Sequence, residues 1–204
     1  MPCYYLAYDP ETLAVYQAVY DEVKARVDNG IGAITEEKYR LIFSELPPWH
    51  SLGFFDKLAG RGWNFVVESP GYHPPPPMEL PGNGDLRERI ARWTYWSYIN
   101  PVYRASKLGY PFMGAAQAYY NWALEYKVDG ILTHPLVTCR TATFWLNHSM
   151  NVLRDKLDIP GMSIQGDIVD LTVFDAATAL NQAPAFEESM EHFRKVRKEQ
   201  GLAW

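Results

Sequence analysis

Thr133-His134-Pro135-Leu136-Val137-Thr138-Cys139-Arg140 places a thiol, an imidazole and a guanidinium on one short segment. A thiolate serves two kinds of chemistry, metal ligation and nucleophilic attack, and it is favoured where backbone N–H groups at a helix start surround it. Cys139 follows the apolar run Gly130-Ile131-Leu132-Thr133-His134 and precedes a helical pattern running toward Asp158, so it is expected at such a start. The same position also suits a small buried apolar residue, a common state of free cysteine. His134 either orients a ligand, pairs with the thiolate as in a cysteine–histidine hydrolase, or is a strand-end histidine satisfied by backbone. His50, His73, His148 and His192 show no metal-ligand spacing, which argues against a histidine-bound metal.

Two further segments carry polar groups where a sheet would present them. Gln165-Gly166-Asp167-Ile168-Val169-Asp170 combines a turn glycine with carboxylates able to bond loop backbone or a ligand hydroxyl. In Leu46-Pro47-Pro48-Trp49-His50-Ser51-Leu52-Gly53, two prolines fix a turn and Trp49 is free to wall a pocket. Arg87, Arg89, Arg92, Arg104 and Lys107 form a basic stretch that suits either phosphate binding or, more simply, a solvated helix face.

The elements that position these segments alternate. Asp9-Pro10-Glu11 predicts a helix start, and Leu13, Tyr16, Tyr20, Val23 and Val27 recur at helical spacing until Gly30. Strands are expected at Arg40–Ser44, Asn64–Glu68, Gly130–His134 and Met162–Gln165, with helices over Ser51–Leu58, Asp85–Tyr98 and Gly114–Tyr126. Residues 70 to 84, rich in proline and glycine, are expected to be a loop. A long helix with Leu146, Met150, Leu153 and Leu157 on one face precedes the fourth strand. Thr172 to Asp175 has a capping-box pattern ahead of a last amphipathic helix marked by Phe186, Met190 and Phe193. Apolar strands separated by helices predict an α/β fold: a Rossmann-like or flavodoxin-like parallel sheet of about four strands with helices on both faces. The expected division is an N-terminal helix and linker, 1–34, and a Rossmann-like α/β domain, 35–204. Ligands bind such sheets outside the carboxyl ends of the strands, after Ser44, Glu68, His134 and Gln165.

Composition sets the outer limits. The 204 residues include 48% hydrophobic and 21% charged side chains, as in packed globular chains and unlike disordered ones. A formal charge of −5 has the wrong sign for gripping nucleic acid over a broad face. Two cysteines, Cys3 and Cys139, are too few for a disulfide scaffold or a self-contained zinc site. No basic leader or unbroken apolar span is evident, so no membrane is expected and a cytoplasmic location is.

At these same residues the chain resembles the C-terminal portion of the benzoyl-CoA reductase/2-hydroxyglutaryl-CoA dehydratase family, also called the 2-hydroxyacyl-CoA dehydratase D-component family. The matching blocks are Leu46 to Gly53, Gly62 to Glu68, Asp129 to Pro135 with Cys139, and Gln165-Gly166-Asp167. The resemblance implies a subunit of a two-subunit enzyme in which cysteines hold a [4Fe-4S] cluster and an ATP-dependent activator protein injects a low-potential electron. It implies an acyl-CoA substrate: the dehydratases reduce the thioester carbonyl of a 2-hydroxyacyl-CoA to a ketyl radical that expels the hydroxyl group, and the reductases attack an aromatic acyl-CoA. Cys139 matches the family's C-terminal cluster-ligand cysteine. His134, Trp49, Gln165 and Asp167 stand beside it as cofactor-binding candidates.

Two departures qualify the resemblance. Family subunits are longer, and the part that supplies the other cluster cysteines has no counterpart here; Cys3 lies outside the matched blocks. The family's Glu-Gly-Asp is Gln165-Gly166-Asp167 in this chain. The expectation is a split or truncated redox subunit, with a non-catalytic CoA-binding or scaffolding subunit, or a cysteine-nucleophile thioester hydrolase, as alternatives.

Overall fold

β1, Tyr39–Ser44, lies at the heart of a four-stranded sheet because its run of Leu41, Ile42 and Phe43 has no polar side to leave in water. The computed structural model describes residues 10–69, 85–92, 115–202 and 204. Within it the other strands are β2 (Trp63–Ser69), β3 (Gly130–Thr133) and β4 (Gly161–Ser163). The order is β2-β1-β3-β4 and every pairing is parallel, with Leu41 opposite Phe65 and Gly130. This is the α/β fold with a parallel sheet expected from the sequence.

Parallel pairing requires crossovers, and these coat both faces. Alternation along each strand decides which side chain faces which layer. Leu41, Phe43 and Leu132 pack on one side with Phe54 and Leu58 of α2 (Gly53–Ala59), Ala179 of α7 (Ala176–Asn181) and Phe186 and Met190 of α8 (Ala183–Glu199). Ile42, Val67 and Ile131 pack on the other with Tyr119, Trp122 and Ala123 of α4 (Ala115–Glu125) and Leu153 and Leu157 of α6 (Leu146–Leu157). A short helix, α3, covers 86–92. The chain leaves β1 outward to β2 on one side and, after β3, outward to β4 on the other. The sheet's topological switch point therefore lies between β1 and β3.

Three local expectations are corrected. The helix before β4 does not run unbroken from Cys139: α5 is one turn, Arg140–Thr143, and α6 starts anew at Leu146 after Phe144 and Trp145. The last helical region is also split, since Pro184 opens α8 and has no N–H with which to continue α7. Its cap is Asp175, whose carboxylate accepts from the Ala177 and Thr178 amides, whereas Thr172 is drawn into a turn by Asp170. The stretches 70–84 and 93–114, with Arg104, Lys107 and the aromatic run from Trp93 to Tyr98, lie outside the described residues.

The chain forms two units, Met1–Glu36 and Glu37–Trp204. In the first, α1 (Pro10–Asp28) forms where its proline start and apolar spacing predict, yet none of its residues is buried. No helix among the described residues is long and apolar enough to cross a membrane.

Candidate functional site

The segments after β1, β3 and β4 are joined at the carboxyl end of the sheet. The His134 amide donates to the Ser44 carbonyl at 3.1 Å, the Ile164 amide to the Thr133 carbonyl at 2.9 Å, and the Val137 amide to the Gly166 carbonyl at 3.4 Å. Ser44 is fully buried and its hydroxyl shares a 2.7 Å hydrogen bond with the Tyr119 hydroxyl of α4. These bonds extend the parallel pairing past the strand ends and tie the three segments together.

His134 is wholly buried, and its Nδ1–H donates to the Leu46 carbonyl at 2.6 Å. Burial pushes its pKa down, so the ring is neutral and Nε2 carries a lone pair. That Nε2 has no hydrogen-bond partner and lies against Gly166, where an added Cβ would come within 2.1 Å of it. Only glycine admits the ring here. The cysteine–histidine pair considered for a hydrolase is not formed: Nδ1 is committed to Leu46 and Nε2 has no partner.

Asp167 joins two loops. Its carboxylate accepts from the Val169 amide at 2.8 Å, the Thr138 amide at 2.7 Å, the Thr138 hydroxyl at 2.8 Å and the Asp170 amide at 3.3 Å. These donors, the Val169 and Thr138 amides foremost, hold it well below the usual carboxylate range. An ionised Asp167 thus fixes the loop that carries Cys139. This network was legible in the sequence only as a turn signal.

Cys139 is half-buried and caps the single turn of α5, with its amide on the Leu136 carbonyl and its own carbonyl receiving the Thr143 hydroxyl. The expected helix-start field is corrected with the helix: one turn sums few peptide dipoles, and α6 begins only at Leu146. Trp49 is 58% exposed in the 3-10 turn Trp49–Ser51, while the neighbouring His50 ring rests edge-on against Phe174 at 5.9 Å. Gln165 is exposed at the end of β4. In the described part of the basic stretch Arg92 pairs with Glu88 and Arg87 is exposed, as on a helix face in water, whereas Arg89 is half-buried with an unpartnered Nε.

Two features of this end escaped the sequence reading. Exposed Trp49, Leu52, Val137, Phe144, Val169 and Leu171 all lie on the loops after β1, β3 and β4, an apolar rim that no single segment suggested. Glu45 is buried next to Ser44, and burial raises its pKa to about 7. A charged residue directly after an apolar strand, one position ahead of Leu46 and two prolines, was the available signal.

Among the described residues, no group of three or more His, Cys, Asp or Glu side chains is arranged to hold a metal ion. A search of curated proteins finds no match to this chain. Residues 1–190 match the family described as 2-hydroxyglutaryl-CoA dehydratase, D-component.

Proposed function

We propose that this chain, which belongs to the 2-hydroxyglutaryl-CoA dehydratase D-component family, is a subunit of a 2-hydroxyacyl-CoA dehydratase or benzoyl-CoA reductase-type enzyme and seats an acyl-CoA thioester at its switch point. The observation that carries this reading is the family match, which spans all three loops that meet at the carboxyl end of the sheet. Their apolar rim suits an acyl chain or a partner subunit's surface better than water.

The family's [4Fe-4S] cluster takes about four thiolates. The described residues of this chain contain one, Cys139, and so do not fit the cluster by themselves. No electron-transfer step is assigned to them. In this reading a second subunit supplies the remaining ligands, Cys139 adds one, and an ATP-dependent activator delivers the electron. The chain's own residues have positional work: Asp167 holds the Cys139 loop, His134 ties the β1 and β3 ends together, and Trp49 and Gln165 face the ligand.

The chain's two cysteines, against the about four thiolates a cluster takes, support a second reading, a CoA-binding subunit without a cluster. Anaerobic co-purification with a candidate partner, followed by iron and sulfide analysis, electron paramagnetic resonance and turnover with activator, separates the two. The first reading expects a cluster whose signal is lost or altered in Cys139→Ala. A complex that binds acyl-CoA with neither iron nor sulfide establishes the second.

A further inference from the structure

Glu45 plays no part in the ties described above. It follows the last residue of β1 at the switch point, is only 8% exposed, and no described residue bonds its carboxyl, whose oxygens are not fully sealed from solvent. Its backbone φ is +79°, a left-handed conformation that disfavours every residue except glycine. Both neighbours are held by His134, Ser44 through its carbonyl to the His134 amide and Leu46 through its carbonyl to the ring. A carboxyl drawn largely out of water without a partner lowers stability, as does a strained backbone, and retention of both where α/β sheets bind ligands points to use.

The charged and titratable groups around this end do not engage it. His134, just after β3, bonds Leu46 through Nδ1 and lays its unpartnered Nε2 against Gly166, His50 of the turn after β1 rests on Phe174, and Asp167 and Asp170 of the β4 loop are occupied by neighbouring donors. Glu68 of β2 and Arg140 of α5 are exposed. Burial alone raises the Glu45 carboxyl to about 7, so a large share of it is neutral near neutrality.

We propose that Glu45, as a neutral carboxylic acid, donates a hydrogen bond to the carbonyl oxygen of a thioester seated between the ends of β1 and β3. The inference deepens the acyl-CoA reading and rests on it. A thioester supplies an oxygen acceptor and no cation at its acyl end, which matches a protonated carboxyl and not an ionised one.

Calorimetric titration of the full chain with acetyl-CoA and with S-ethyl-CoA, which lacks only the carbonyl oxygen, isolates this contact. In the wild type the preference for acetyl-CoA falls about tenfold from pH 6 to pH 8, as the protonated fraction falls. Glu45→Gln, which keeps an N–H donor, holds the preference at both pH values. Glu45→Gly, which suits the positive φ, loses it at both. A pH-independent preference in the wild type, an unchanged preference in Glu45→Gly, or tighter acetyl-CoA binding at pH 8 overturns the proposal alone. If the wild type binds neither ligand at either pH, the acyl-CoA reading falls together with it.

Discussion

The two ends of the parallel sheet differ in how completely they pair their buried polar groups. At the amino end, Asp129 beside β3 is 4% exposed and accepts from the Arg40 amide, from Arg194 twice, at 3.0 and 2.7 Å, and from Arg197 at 3.0 Å. Arg197, 1% exposed, also donates to the Asp158 carbonyl and stacks on Trp204. Its partners keep the buried charges matched, and the unpartnered Trp204 indole N–H is the exception there. At the carboxyl end Asp167 is matched by neighbouring donors, but no described residue bonds the Glu45 carboxyl and His134 Nε2 lies unpartnered against Gly166. A satisfied network rigidifies a fold, and an unsatisfied one makes sense where something else completes it.

If the amino end is the structural one, its removal should have the largest effect. Asp129→Ala strands the buried Arg197 guanidinium and is expected to cost about 3–5 kcal/mol in urea unfolding. A loss under about 1 kcal/mol would erase the distinction between the ends.

Glu45 should act with the opposite sign. Between pH 4.5 and about 7 the folded state retains a proton that the unfolded chain has released. Its contribution to stability is therefore intact below about 4.5 and lost as pH rises through about 7, a change of about 2–3 kcal/mol. Unfolding of Glu45→Gln measured across this window should lack that component, and Glu45→Gly should be more stable than the wild type at pH 8.

Gly166→Ala sharpens the comparison on the same side. The new methyl displaces the His134 ring and is expected to cost about 1–3 kcal/mol, read as a lowered melting temperature. Trp49→Ala should have the smallest effect on stability, within about 0.5 kcal/mol, because the side chain is exposed. Weaker acyl-CoA or partner binding in that variant would place Trp49 in the site, and unchanged binding would remove it.

Local patterning made much of the scaffold legible. β1 and β2 form within a residue of their expected bounds because apolar, β-branched and aromatic runs have few other ways to be buried. The break between α5 and α6 was not legible, since Phe144 and Trp145 contain no helix breaker. Of the candidate residues, His134 and Asp167 could be placed on the right loops from sequence but not given Leu46 and Thr138 as partners, which lie on the loops after other strands.

By itself the sequence determined the alternation of strands and helices, the parallel sheet and the family, because these depend on side-chain periodicity and dispersed motifs along the chain. Only the tertiary structure decided that Glu45 is largely buried with no described residue bonding it, that Asp129 is held by two arginine side chains and the Arg40 amide, and that Gly166 must accept an imidazole edge. Burial and pairing depend on residues distant in sequence, and a charge's environment is set by which strands end beside it.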